Sequence, residues 1–188
     1  MTNVKIIVIG DPRVGKTSII NRIVDDSFDI DSKSTVGVDM CVVTIEGIKF
    51  TLWDTAGQEE YNLVTSNFYR NADGVLLIHD ISKPQTSINI RNWILRVHAY
   101  CNHNIPILIV SNKNDLEGKR SSVKIDGLLL EHATTSALTG HGIDKIKKFL
   151  LSIKKHDETL EQDTLVFNHI NLKEKTNKQE KKKESCGC

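Results

Sequence analysis

The sequence predicts an α/β fold: a mostly parallel sheet covered by helices on both faces. Three observations carry this. Short β-branched runs alternate with helical patterns, as in successive βαβ units. The runs are continuously apolar, as strands buried on both faces are. Each run closes on glycine or a polar residue, which puts the chemistry at the carboxyl ends of strands, where such sheets bind ligands.

The elements follow in order. Val4–Ile9 is a β-branched run that stops at Gly10 and reads as a buried strand. Lys16–Val24 reads as a helix, with Ile19, Ile20 and Ile23 at helical spacing. Val38–Ile45 and Ile48–Trp53 read as two strands of a hairpin turning at Glu46-Gly47. Gly74–Ile78 is a further buried strand ending at Asp80. After Pro84 comes a long helix, with Ile90, Trp93, Ile94, Val97 and Cys101 along one face. Ile107–Val110 is a strand ending in Ser111-Asn112, and Leu128–Thr134 is the last strand. Only about a dozen residues separate Asp115 from Leu128, too few for a full crossover helix, so that helix is expected to be truncated or missing. A final helix sets Ile143, Ile146, Leu150 and Ile153 on one face.

Composition narrows the function. Of 188 residues, 39% are hydrophobic and 26% charged, as in a globular domain. Lys and Arg number 25 against 24 Asp and Glu, so the broad positive field of a nucleic-acid binder is missing and no nucleic-acid partner is expected. No apolar stretch reaches the roughly 20 residues that span a bilayer, and the N-terminus lacks the pattern of a signal peptide. Four cysteines are too few for a disulfide scaffold. Cys41 and Cys101 are expected as buried free thiols in a reducing compartment, the cytosol. After about His156 the composition changes. Lys173–Glu184 holds six Lys and three Glu with no apolar face, the signature of a disordered tail. The expected organisation is a globular domain over 1–157 and a flexible tail over 158–188.

Gly10-Asp-Pro-Arg-Val-Gly-Lys-Thr17 has the pattern G-x-x-x-x-G-K-[ST], between a predicted strand and a predicted helix. Loop amides of Arg13, Val14, Gly15 and the first helical turn, including Ser18, can converge on an anion. Lys16 adds an ammonium for β- and γ-phosphates, and the Thr17 hydroxyl is placed to ligate Mg²⁺. The motif implies a nucleoside triphosphate, without fixing the base or the reaction.

Trp53-Asp-Thr-Ala-Gly-Gln58 closes another strand. Asp54 suits Mg²⁺ held through water, and Gly57 can bring its N–H to the γ-phosphate with no Cβ in the way. Gln58 can orient an attacking water. Alone, such a turn is also ordinary loop chemistry; the upstream phosphate motif gives it meaning. Thr35 is a candidate second hydroxyl for Mg²⁺. Asn112-Lys113-Asn114-Asp115 follows a strand, and a carboxylate such as Asp115 accepts from guanine N1–H and the 2-amino group. Adenine would leave it unpaired. Ser136 and Ala137 can present backbone N–H groups to guanine O6. Phe28 can stack on the purine edge or be an ordinary buried aromatic.

Gly10–Thr17, Thr35, Asp54–Gln58, Asn112–Asp115 and Thr135–Ala137, in this order, resemble the five nucleotide motifs of the Ras superfamily of small GTPases, over about Lys5–Ile153. Thr35–Met40, Leu52–Glu59, Phe68–Ala72 and the terminal Cys186-Gly-Cys188 are similar to the Rab family, whose members switch membrane traffic. The resemblance implies a Ras-like six-stranded P-loop NTPase fold and a slow GTPase, cycling between GTP and GDP with Mg²⁺. It implies catalysis by Lys16, Gly57 and Gln58, and metal ligation by Thr17, Thr35 and Asp54. The implied partners are an exchange factor, a GTPase-activating protein and a prenyl carrier of the GDP dissociation inhibitor or escort type. Effectors would dock on an exposed triad of Met40, Trp53 and Phe68 and on the switch regions. Prenyl groups on Cys186 and Cys188, aided by Lys181–Lys183, would anchor the protein to the cytoplasmic face of an intracellular membrane.

The chain departs from that pattern. Pro12 offers no N–H to a phosphate, and Arg13 is a long cation within reach of one. Leu138 stands where the family has Lys against the base. These departures keep open a module that holds GTP without turning it over. Asn112–Asp115 and the absence of a lid-like insertion argue against a nucleotide kinase.

Overall fold

The computed structural model describes residues 3–30, 35, 37–55, 65–102, 104–116 and 130–153. The chain divides into a unit Met1–Leu151 and a unit Ser152–Cys188. The second lies almost wholly outside the described residues.

The elements are β1 (Asn3–Ile9), α1 (Lys16–Val24), β2 (Val38–Ile45), β3 (Ile48–Thr55), α2 (Thr65–Tyr69), β4 (Gly74–Asp80), α3 (Pro84–Tyr100), β5 (Ile107–Asn112) and β6 (Glu131–Thr134). A last helix, α4, covers residues 143–153. The six strands form one sheet in the order β2-β3-β1-β4-β5-β6. All neighbours are parallel except the β2–β3 hairpin. The expected mostly parallel, six-stranded sheet is therefore present, and β1, the strand that feeds the phosphate loop, lies inside it.

Strand alternation divides the core between the two faces. One face carries Ile7, Ile9, Val75, Leu77, Ile107 and Ile109, packed against Ile90, Trp93, Ile94 and Val97 of α3. The other carries Ile6, Val8, Leu52, Leu76, Ile78, Leu108 and Val110, all buried. Helix α1 lies against β2 and β3 with Ile19, Ile20 and Ile23 buried. In α4, Ile143, Ile146, Phe149 and Leu150 are buried.

Several boundaries differ from the expectation. β3 runs on to Thr55 and β5 to Asn112, because ladder pairing continues through the polar residues that close the apolar runs. Within the described residues β6 starts at Glu131, and Leu130 precedes it. Leu128 and the crossover expected to be truncated lie outside those residues. Helix α2, five residues long, had no signal at all: one turn is too short for a periodic stripe. Cys41 and Cys101 are free but half-buried rather than buried.

Candidate nucleotide site

The same alternation that builds the core aims the site. Asp54, Asp80 and Asn112 end β3, β4 and β5 on the face away from α3, and each is buried. The chain leaves β1 at Gly10 (φ 141°), where a Cβ would lie 2.0 Å from the Ile78 carbonyl oxygen. Only glycine lets the loop cross β4 this closely. The loop ends at Gly15 (φ 95°), the N-cap of α1. No side chain caps the first turn of α1, the arrangement of helix N-termini that bind anions. Lys16, 6% exposed, folds its ammonium over the loop and donates to the carbonyls of Gly10 (2.8 Å) and Asp11 (3.0 Å).

Beside Lys16, three residues distant in sequence meet. Thr17 Oγ1 donates to Asp54 Oδ2 at 2.5 Å and lies 2.8 Å from Thr35 Oγ1. Thr35 Oγ1 also donates to Asp54 Oδ2, at 3.1 Å. Asp54 Oδ1 is buried and has no hydrogen-bond partner. Burial raises the Asp54 pKa, against the opposing effect of the Thr17 and Thr35 hydrogen bonds and the nearby Lys16. Two hydroxyls and a carboxylate with a spare buried oxygen are a hard-oxygen donor set that fits Mg²⁺.

Across the loop, Asn112 ties three segments together. Its Nδ2 donates to the Val14 carbonyl at 3.0 Å, while its Oδ1 accepts from the Ala137 amide (3.1 Å) and the Thr135 hydroxyl (3.3 Å). Lys113 (φ 67°) donates to the Arg13 carbonyl at 2.8 Å and pairs with Asp80 at 2.8 Å. Burial alone would raise the Asp80 pKa; hydrogen bonds from Lys113 and Ser82 outweigh it, and the net shift is downward. Asp115, exposed, accepts a hydrogen bond from Ser136 Oγ. Phe28 is half-buried in the segment after α1, and Ser18 is half-buried in the first turn of α1.

The structure thus brings together Arg13, Val14, Gly15, Lys16, Thr17, Thr35, Asp54, Asn112, Lys113, Asp115, Ser136 and Ala137. Gly57, Gln58, Cys186 and Cys188 lie outside the described residues. The Arg13 side chain is exposed, with φ at 62°, and its carbonyl is what the site uses. The expected apolar triad needs correction. Met40 is 57% exposed, Trp53 is half-buried and Phe68 is only 4% exposed. Phe68 instead packs edge-on to Trp53 and Tyr69, because α2 turns its ring into the core.

Two supports carried no sequence signal. Arg22 of α1 donates from Nε to the Ala137 carbonyl and from NH2 to the Leu138 carbonyl, both at 2.9 Å, and so fastens the loop opposite Asp115. Asp11 accepts from Trp93 Nε1 (2.9 Å) and Asn89 Nδ2 (2.7 Å), both on α3. A lone Arg or Asp has no pattern to betray it, and Trp93 read simply as core.

This layout is that of a P-loop NTPase of the α/β class. A profile of the Ras family matches residues 5–155. Ras-related protein RABA2b of Arabidopsis thaliana is 40% identical over 158 residues, covering 79% of this chain and 74% of that protein. Rab2BV of Beta vulgaris and Rab11C of Lotus japonicus are each 39% identical over 158 residues, covering 79% of this chain and 74% and 73% of those relatives. The chain belongs to the Ras family and, within it, to the Rab small GTPases, the GTP-hydrolysing regulators of membrane traffic.

Proposed function

We propose that this chain binds GTP with Mg²⁺, hydrolyses it slowly, and uses the difference between its GTP and GDP states to engage and release partners at a membrane. The observation that carries the reading is the meeting of Thr17 and Thr35 on one oxygen of Asp54, whose other oxygen is buried and unpartnered. These three residues would hold the metal, which would offset phosphate charge there.

The chain's own groups supply the rest. Lys16 and the α1 amides hold the β- and γ-phosphates. Asp115 accepts from guanine N1–H and the 2-amino group, with Ser136 bracing its carboxylate. The amides of Ser136 and Ala137 face guanine O6, and Phe28 stacks at the purine edge. Gly57 offers its N–H to the γ-phosphate, and Gln58 orients the attacking water. The Arg13 side chain is exposed and supplies no arginine finger of its own, in keeping with a slow intrinsic reaction. A GTPase-activating protein then has on the order of 10³–10⁵-fold to add. An exchange factor reloads the nucleotide, and effectors read Met40, Trp53 and the switch regions. A carrier of the GDP dissociation inhibitor or escort type shields prenyl groups on Cys186 and Cys188. The proposed organisation is a GTP-binding domain over 1–157 and a tail over 158–188 that carries that anchor.

The test is a single turnover with preloaded GTP and Mg²⁺, following phosphate release beside Gln58→Leu. The expected outcome is slow release in the parent and at least tenfold slower release in the variant. Tight GTP binding with no release in either protein would favour a module that holds GTP without turnover.

A further inference from the structure

The phosphate loop is held from outside at two successive carbonyls. Lys113 holds the Arg13 carbonyl at 2.8 Å and Asn112 the Val14 carbonyl at 3.0 Å. Pro12 has no N–H with which to anchor itself. On its other side the loop is fixed through a side chain. The Asp11 carboxylate accepts the Trp93 indole N–H at 2.9 Å on Oδ1 and the Asn89 amide at 2.7 Å on Oδ2. The backbone carbonyl of the same Asp11 accepts the Lys16 ammonium at 3.0 Å. Both donors sit on α3 one turn apart, and Trp93 is buried in the core with Ile90 and Ile94.

We propose that Asp11 is a positioning residue: its carboxylate, gripped by Trp93 and Asn89, sets the loop backbone and through it the Lys16 ammonium for phosphate binding and transfer. The inference rests on the GTPase reading. Asp11 fixes the plane of its own peptide and thereby the direction in which the Lys16 carbonyl partners lie. A misplaced group in a site that works by positioning loses rate steeply.

Three variants separate positioning from folding. Asp11→Ala removes both acceptors. Trp93→Phe keeps a ring in the core and deletes one donor. Asp11→Asn keeps the clamp, because its oxygen accepts from the indole while its NH₂ donates to a flipped Asn89 amide. Release of tritiated GDP by filter binding and single-turnover hydrolysis are measured in each, with the melting curve of the nucleotide-free protein alongside. Asp11→Ala is expected to release GDP roughly tenfold to a hundredfold faster and to hydrolyse GTP at least tenfold more slowly. Trp93→Phe should fall between Asp11→Ala and the parent, and Asp11→Asn should return close to the parent. Parent-like release and hydrolysis in Asp11→Ala would overturn the proposal. So would an Asp11→Asn as impaired as Asp11→Ala, or losses that merely follow the melting temperature. A parent protein that neither binds nor hydrolyses GTP would overturn the GTPase reading, and this one with it.

Discussion

At the scale of single residues, the site carries a group that works against the fold. The folded pKa of Asp54 is raised by burial, so the unfolded chain ionises first as pH rises through the ordinary carboxylate range. Above that range the folded protein holds a carboxylate that costs stability. Asp54→Asn should therefore melt higher than the parent in EDTA, by a few degrees, since about 1 kcal/mol moves a domain of this size roughly 2–4 °C. The same variant should lose most of the stabilisation that the parent gains from Mg²⁺ and GDP. Calorimetry in both conditions checks the pair of outcomes. Of the proposed site, the residues that the structure brings together were legible because their types and order follow from the expected ligand chemistry: a loop glycine, an ammonium, hydroxyls and carboxylates. Arg22, Asp11 and Asn89 were not legible. Each acts through one contact between segments far apart in sequence, and nothing local marks it.

At the scale of elements, three strands and a helix share a polar line inside the sheet. Ser87 of α3 lies 3.0 Å from His79 Nδ1, and His79 Nε2 lies 2.5 Å from Ser111 Oγ. Ser111 Oγ in turn lies 2.7 Å from His132 Nε2. Burial, with a smaller effect from His132, lowers the His79 pKa to about 4, against an upward pull from Asp80. Burial and Lys145 lower that of His132. The sign follows from linkage: a histidine held below its unfolded pKa of 6.5 leaves the unfolded state to take the proton first. Stability is full above pH 6.5 and falls toward pH 4, by about 3 kcal/mol for His79 alone. Urea midpoints at pH 7.5 and pH 5 should differ clearly in the parent and much less in His79→Phe. A midpoint shift unchanged by the substitution would place the acid sensitivity elsewhere. The elements themselves were mostly legible. A continuous apolar run can only be a buried strand here, and the Ile90–Val97 stripe only one face of α3. What escaped was where pairing outlasts apolarity, at Ser111-Asn112 and Asp54-Thr55, since ladder bonds depend on the neighbouring strand rather than on the residue.

At the scale of the whole molecule, no helix among the described residues is long and apolar enough to cross a membrane. The proposed attachment rests on Cys186 and Cys188. Replacing both Cys186 and Cys188 by Ser should move the protein from the membrane pellet to the supernatant in fractionated cells, while leaving GTP binding intact. Replacing one should leave weakened, partial attachment, because a single lipid chain binds only marginally. Retention of the double variant in the pellet would refute a prenyl anchor. The chain also holds two tryptophans, in unlike surroundings. Trp53 has the Lys5 ammonium 4.4 Å from its ring centroid. Trp93 is bracketed by opposite charges, the Asp11 carboxylate at its N–H and the Arg96 guanidinium 5.2 Å from its ring centroid. A movement of the phosphate loop changes the field at one end of the Trp93 indole, shifting its ultraviolet absorption and emission, and Trp53→Phe isolates that signal. The protein is thus built with its own optical gauge of the phosphate loop, readable without any attached dye.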